Sequence, residues 1–302
     1  VLWASLAPDA GDILMEIQSV TINYFGGWYI YASAIFMIMS LVLALLPWTG
    51  KIRLGNSDSS PEFSRFAWFS MMFGAGIGVG MLTYSTAEPL AHFANNPDVI
   101  LGSTTALDPN NLSAAYKWTL LHYGLTPWGC YAIVGLSLAY FAYKRDMPLT
   151  IRSPFTAVLN ADAGRQVGAV VDAAAILATI IGIGVTIGYG VNQLAFGAYQ
   201  ITEWSWLISD DKPSLLSLAL AVTFLTVAAM LSALSGIGRG IRLLSNLNMA
   251  LSWLLLIIFV IFGATAFAGE MFVSGLTAYL REILPMSLTI WSGGETETAE
   301  LL

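Results

Sequence analysis

The chain has 302 residues, of which 57% are hydrophobic and only 10% charged, with a formal net charge of −7 and a mean hydropathy of +0.72. No soluble domain of this length carries such values, so the composition predicts an all-α, polytopic membrane protein embedded in a lipid bilayer, and nothing in it suggests a nucleic-acid partner. The single Cys130 excludes a disulfide framework within the chain; it lies in an apolar span and reads as a small core residue.

Residues 1–7 are apolar and run into Pro8-Asp9 without a cleavable signal pattern, which suits the last turns of a first span whose beginning is missing. Residues 9–20 form an acidic connection whose apolar positions Ile13, Leu14, Ile17 and Val20 predict a short interfacial helix. A second span covers 28–48, with Tyr24, Trp28, Tyr29 and Trp48 as interface anchors near its ends. Span three covers 66–88, and the connection 95–111 that follows it has no Lys or Arg. Span four, 117–143, is interrupted by Gly124 and Pro127, and span five, 167–193, carries Gly182, Gly184, Gly188 and Gly190, which let a neighbour approach closely. Spans six and seven cover 214–234 and 245–267. From 272 to 284 the apolar positions Phe272, Leu276, Tyr279, Leu280 and Ile283 enclose Arg281 and Glu282, the pattern of an amphipathic helix along the outer interface or across the bundle. A solvated tail, 293–300, follows.

The charges test this count independently. Lys51, Arg53, Arg65, Lys144, Arg145, Arg152, Arg165, Arg239 and Arg242 all fall in alternate connections, which the positive-inside rule places in the cytoplasm. Span three then runs from inside to outside. Its middle reads Gly74-Ala75-Gly76-Ile77-Gly78-Val79-Gly80, four glycines at every second position. Each weakens a helix by roughly 1 kcal/mol relative to alanine, yet the flanking Phe69, Met71, Met72, Phe73, Met81 and Leu82 mark a membrane span. A broken helix satisfies both observations. Free backbone groups cannot face hydrocarbon, so a break at this depth points to a site that uses them; the other reading is that the glycines let a second helix pack closely.

The run FGAGIGVGMLTYSTAEP at 73–89 closely resembles the glycine-rich segment of the betaine/carnitine/choline transporter family. Three further stretches match that family in the same order: 51–63, HYGLTPWGCY at 122–131, and SALSGIGRGIRLLSN at 232–246. The resemblance implies a leucine-transporter-like fold in which only the first of two inverted five-helix repeats is present. Residues 1–48 would hold the end of the first span and the second peripheral helix, 49–268 the first repeat with spans three to seven, and 269–302 the external amphipathic helix and a truncated tail. It implies a bacterial inner-membrane location, a secondary transporter, and uptake of a betaine-like osmolyte or nutrient by sodium symport.

A quaternary ammonium has no proton to donate, so its recognition depends on cation–π attraction, roughly 0.5–2 kcal/mol for each aromatic face. By resemblance Tyr123, Trp128 and Tyr131 form one wall of the family's aromatic box, with tyrosine at 123 where tryptophan is usual. Ala75, Gly76, Ile77, Gly78 and Gly80 would line the substrate site, and the carbonyls of Gly74 and Ile77 would hold the coupling sodium, with no other cofactor. A second sodium position matches Thr179, but Ile183 replaces the second threonine of the pair, and Thr186 stands nearby as a substitute. A threonine in a membrane helix also commonly bonds its own backbone one turn back. Proton-coupled choline members commonly carry aspartate at the position of Gly80, so the glycine favours a sodium-coupled glycine betaine type, with methylated sulfonium zwitterions still open.

Asp172, near the start of span five, reads as a dipole-compensating acid, and Glu88, before Pro89, as structural. His92 and His122 are expected not to form a metal pair, because one falls in a loop-like stretch, the other at a span kink, and no cysteine or acidic cluster joins them. No nucleophile–base arrangement emerges, so no enzymatic activity is expected. The alternatives are a sodium-independent or proton-coupled choline or carnitine transporter or exchanger and, in another class, a channel or an assembly partner. A homotrimer is expected by resemblance, with 272–284 as its place of contact.

Overall fold

The residues that break helices, rather than hydrophobicity, set where one element of this chain ends and the next begins. The computed structural model describes residues 10–55, 58, 60–76, 78–159 and 161–290; the partial span at 1–7 and the tail at 293–300 lie outside them. Helix α1, Ala10–Leu45, is one continuous element of 36 residues. The expected interfacial helix at 9–20 is therefore not separate from the span. No proline interrupts the stretch, Thr21 satisfies its hydroxyl on the Ile17 carbonyl at 2.7 Å, and the adjacent Gly26 and Gly27 cost too little to end a helix of this length.

The helices that follow are α2 (Arg65–Gly76), α3 (Val79–Ala94), the short α4 (Pro97–Ile100), α5 (Leu112–Tyr123), α6 (Leu125–Arg145), α7 (Arg152–Val158), α8 (Ala161–Thr202), α9 (Leu215–Leu234), α10 (Arg242–Phe262) and α11 (Thr265–Leu288). Strand β1, Ile208–Ser209, pairs antiparallel with β2, Lys212–Pro213, across Asp210 and Asp211, both at positive φ. Among the described residues the fold is all-α apart from this hairpin. Among the described residues, Gly11–Leu45, Pro109–Arg145, Gln166–Thr202, Leu215–Leu234 and Ile237–Phe262 are each long and apolar enough to cross a membrane. The third predicted span is absent from that set because it is divided, and neither α2 (12 residues) nor α3 (16 residues) reaches the ~20 residues of a crossing.

One compact unit is formed by the described parts of 1–54, 88–149 and 268–302. Its core is Met37 of α1, Trp118 and Leu121 of α5, and Tyr279, Ile283 and Met286 of α11. Helices α1 and α6 meet where Gly129 faces the Met37 backbone: a Cβ there would lie 2.5 Å from Met37 Cα. Ser40 reinforces the approach by donating to the Gly129 carbonyl at 3.0 Å. The amphipathic helix expected at 272–284 is observed as α11, longer than predicted because no breaker separates it from Thr265.

The second unit takes the described parts of 55–87 and 150–267. Here α2 packs on α10, α7 on α8, and α8 on α9. Gly168 of α8 lies against Arg152, where a Cβ would stand 2.9 Å from the Arg152 Cβ. Asp172 does not sit at the start of its helix, which begins at Ala161; it accepts from the Arg152 backbone N–H at 3.1 Å and lies 3.4 Å from the Arg152 guanidinium. The dipole it compensates is that of α7, whose first residue is Arg152.

The charged centre of the first unit is Lys117, only 5% exposed. Its ammonium lies 2.7 Å from Asp98 and 2.7 Å from Glu282, joining α4, α5 and α11, while Trp118 donates its indole N–H to Asp98 at 3.1 Å. Removing one partner of a buried pair leaves the other charge uncompensated. Lys117→Met is expected to destabilise the protein by about 3 kcal/mol, chiefly through Asp98, because solvent screens the half-exposed Glu282. Thermal unfolding in detergent measures this; an unchanged midpoint would remove Lys117 as the tie between the three helices.

Candidate functional site

Two broken spans supply the candidate site residues. The first break falls between α2, which ends at Gly76, and α3, which begins at Val79. Gly74, Ala75 and Gly76 form the last turn of α2, Gly78 lies in the connection, and Gly80 is in the first turn of α3; Ile77 lies outside the described residues. A helix end has four carbonyls without intrahelical partners, and a helix start has four such N–H groups. The break therefore presents a partial negative end and a partial positive end within a few residues of each other.

The glycines here also permit packing. A Cβ on Gly78 would lie 3.3 Å from the Thr186 methyl of α8, and one on Gly74 3.5 Å from Ser245 Oγ of α10. Beyond the break, α3 is fastened to α8. The Tyr84 and Tyr189 hydroxyls are 2.6 Å apart with their rings edge-to-face, and Gln193 Nε2 donates to Thr83 Oγ1. Sequence reasoning missed these four residues. The available signal was Tyr189 and Gln193 four apart on one face of an otherwise apolar helix, where polar side chains act as interhelical contacts. Thr179 Oγ1 donates to the Ala175 carbonyl at 2.7 Å and Thr186 Oγ1 to Gly182 at 3.0 Å. Each hydroxyl has spent its proton on its own helix and keeps lone pairs that can face a cation.

The second break is at Gly124, between α5 and α6, where its φ and ψ are −94° and −139°. A side chain there would overlap both the Leu120 carbonyl and the Tyr279 hydroxyl, so the break depends on glycine. Tyr279 reaches over from α11 and accepts the Leu125 N–H at 2.7 Å, satisfying one orphan donor of α6. Burial pushes the Tyr279 phenol above its ordinary pKa, so it stays neutral. On the other side of the break the Tyr123 carbonyl accepts the Trp128 indole N–H at 3.0 Å. This bond fixes the Trp128 ring, whose centroid stands 5.6 Å from that of Tyr131 at an interplanar angle of 40°. Trp128 and Tyr131 are 36% and 63% exposed, so both present open ring surface. The structure thus brings Trp128 and Tyr131 together and joins Tyr123 to them through its carbonyl.

The structure brings the two histidines together. His92 is not in a loop: α3 continues through Pro89 to Ala94 and carries His92 in its last turn. Its ring lies 5.6 Å, centroid to centroid, from that of His122 at the end of α5. Glu88, one turn before His92, joins them through Oε1, which lies 3.5 Å from His92 Nε2 and accepts a hydrogen bond from His122 Nδ1. Pro89 does not end the helix, as a proline there would lead one to expect. Extending α3 puts Glu88 and His92 four apart on one face. The Tyr123 hydroxyl also bonds the Glu88 carboxylate, so Glu88 touches one of the predicted aromatic residues.

A family model described as betaine/carnitine/choline family transporter matches residues 1–298. The chain belongs to the betaine/carnitine/choline transporter family. Among similar relatives, glycine betaine transporter OpuD of Bacillus subtilis is 33% identical over 96% of this chain and 54% of its own length. Glycine betaine transporter 1 of Vibrio parahaemolyticus is 36% identical over 95% of this chain and 53% of its own length. The high-affinity choline transport protein of Escherichia coli is 36% identical over 87% of this chain and 37% of its own length. The chain thus spans about half the length, or less, of these relatives. Its apolar helices and its family make it a multi-pass protein of the bacterial inner membrane.

In this family member the second break is held by a single cross-helix acceptor. Replacing Tyr279 by phenylalanine keeps the ring packing and strands the Leu125 N–H, at an expected cost of about 1–3 kcal/mol. Thermal unfolding reads this directly; Tyr279→Phe with wild-type stability would mean that the phenol is not what satisfies the start of α6.

Proposed function

We propose that the chain carries the first five-helix repeat, residues 49–268, of a secondary transporter that takes up a betaine-like quaternary ammonium compound by sodium symport, in the service of osmoprotection. The observation that carries the reading is the exposed Trp128–Tyr131 pair, fixed beside the Gly124 break in a member of a family whose relatives are named for glycine betaine and choline. A methylated ammonium offers no N–H, so paired aromatic faces are the chemistry suited to it. Tyr123 belongs to the same wall. By resemblance, Ala75, Gly76, Ile77, Gly78 and Gly80 of the glycine-lined break would be substrate-binding residues. Gly74 and Ile77 would offer carbonyls to sodium, which backbone oxygens suit without a buried carboxylate. Thr179, or Thr186 beside it, would supply a hydroxyl for a second sodium. Alternating access would come from rocking of this repeat against its inverted counterpart, and the exposed apolar residues Phe272 and Leu280 of α11 would contribute to a homotrimer contact.

A second reading, choline uptake, is favoured by the 36% identity to the Escherichia coli choline transport protein. Gly80 weighs against it, since the resemblance associates an acid at that position with proton-coupled choline members.

Uptake of radiolabelled glycine betaine into vesicles bearing the full protein, with and without an inward sodium gradient, separates these readings. Sodium-dependent uptake is expected, with Trp128→Ala weakening apparent affinity on the order of 10-fold, as the loss of one strong cation–π face implies. Uptake that follows a proton gradient and is outcompeted by choline would favour the second reading, and no uptake of any methylated cation would end both.

A further inference from the structure

Glu88, His92 and His122 have no part in the transport chemistry above, yet they meet in the first compact unit with one ligand atom from each within 4.8 Å of the others. We propose that they bind a single zinc-class divalent metal ion, which ties α3 to α5. Four observations support the assignment.

The donor set comes first. Two imidazoles and one carboxylate suit zinc rather than the oxygen-preferring magnesium or calcium, and three protein ligands with an open fourth position form a common zinc arrangement. Next is the spacing. Tetrahedral zinc with bonds of about 2.0–2.2 Å holds its ligand atoms about 3.3–3.6 Å apart, and His92 Nε2 lies 3.5 Å from Glu88 Oε1. His122 Nδ1 hydrogen-bonds the same carboxylate oxygen, so binding would exchange that bond for a shared ion and release the proton to solvent.

The third observation is an unmet need. His92 is 4% exposed; its Nδ1 has no hydrogen-bond partner, and its Nε2 has only the Glu88 carboxylate, 3.5 Å away. Buried polar atoms in native structures are nearly always paired, so an imidazole with one nitrogen unpaired and the other only at long contact with a carboxylate, beside a second imidazole, suits a ligand. Ligation through Nε2 satisfies one of its two nitrogens.

Finally, the site is held rigid from behind. The His92 carbonyl accepts from Asn96 Nδ2 at 2.6 Å and from Asn111 Nδ2 at 3.3 Å, and these two wholly buried asparagines bond each other at 2.8 Å. The end of α3 is therefore fixed before any ion arrives, the preorganisation a metal site requires.

The test uses the full protein, purified without a polyhistidine tag and stripped with a chelator. Titration with Zn(II) is expected to show one ion per chain with a dissociation constant in the low micromolar range or tighter. His92→Gln and His122→Gln are each expected to weaken it at least 10-fold, and excess Mg(II) or Ca(II) to leave it unchanged. Co(II) should give the intense visible bands of a four-coordinate site, a readout on the native sequence that depends on no variant folding. Absence of those bands, or Zn(II) binding equal in the native protein and in a folded His92→Gln variant, would overturn the proposal. Because binding is measured without transport, failure here leaves the transport reading untouched, and the reverse holds as well.

Discussion

The structure depends on a single constraint: a backbone amide or carbonyl in hydrocarbon must find a partner or be put to use. Both interrupted spans answer it. At Gly124 two of the freed groups have side-chain partners, with Tyr279 accepting the Leu125 N–H of α6 and the last carbonyl of α5 accepting the Trp128 indole. Every partner in that arrangement is itself fixed. Tyr279 sits in the core with Met37, Trp118 and Leu121, and the carbonyl belongs to a helix whose own Lys117 is paired on two sides. At the glycine run the answer is different. Small residues let α10 approach the end of α2, at Gly74, and α8 approach the connection, at Gly78.

Buried polar side chains in the first unit follow the same logic. Asn96 and Asn111 have no solvent exposure and spend their amides on each other and on the carbonyls of His92 and Phe93. Asp98 receives both an ammonium and an indole N–H. In a low-dielectric surrounding such groups are stabilising only when satisfied together, so this connection, read from sequence as a plain loop without basic residues, is an ordered polar layer. Among the described residues of this unit, the buried side-chain atoms without a hydrogen bond are the two His92 ring nitrogens, of which Nε2 lies 3.5 Å from Glu88, and the Thr104 hydroxyl.

Much of this was legible in the sequence, for identifiable reasons. Apolar run length located the spans, because hydrocarbon thickness fixes how many apolar residues a helix needs. Glycine spacing located the break after Gly76, and Gly124 located the break of span four, because backbone conformation there is a local property. Long-range pairings were not legible. That Tyr279 would cap α6, that Lys117 would meet Glu282, or that Tyr84 would meet Tyr189 depends on helix register and rotation, which one sequence does not encode in any short window. The two clearest misreadings share a cause. Pro89 and the acidic stretch at 9–20 carry the local signals of element boundaries, whereas α3 and α1 run through them. Proline ends a helix only when the lost hydrogen bond and the ring clash cannot be absorbed, and neighbouring helices and side chains at membrane depth absorb them often.

Extending α3 past Pro89 changes more than a boundary. It carries Glu88 and His92 to the same place as the last turn of α5, where His122 and Tyr123 are consecutive. His122 faces the carboxylate and the second imidazole, while Tyr123 turns its carbonyl to Trp128 and its hydroxyl to Glu88. One helix end therefore anchors both the aromatic pair and the histidine cluster. The orientation of the Trp128 ring depends on the Tyr123 carbonyl, one residue on from His122.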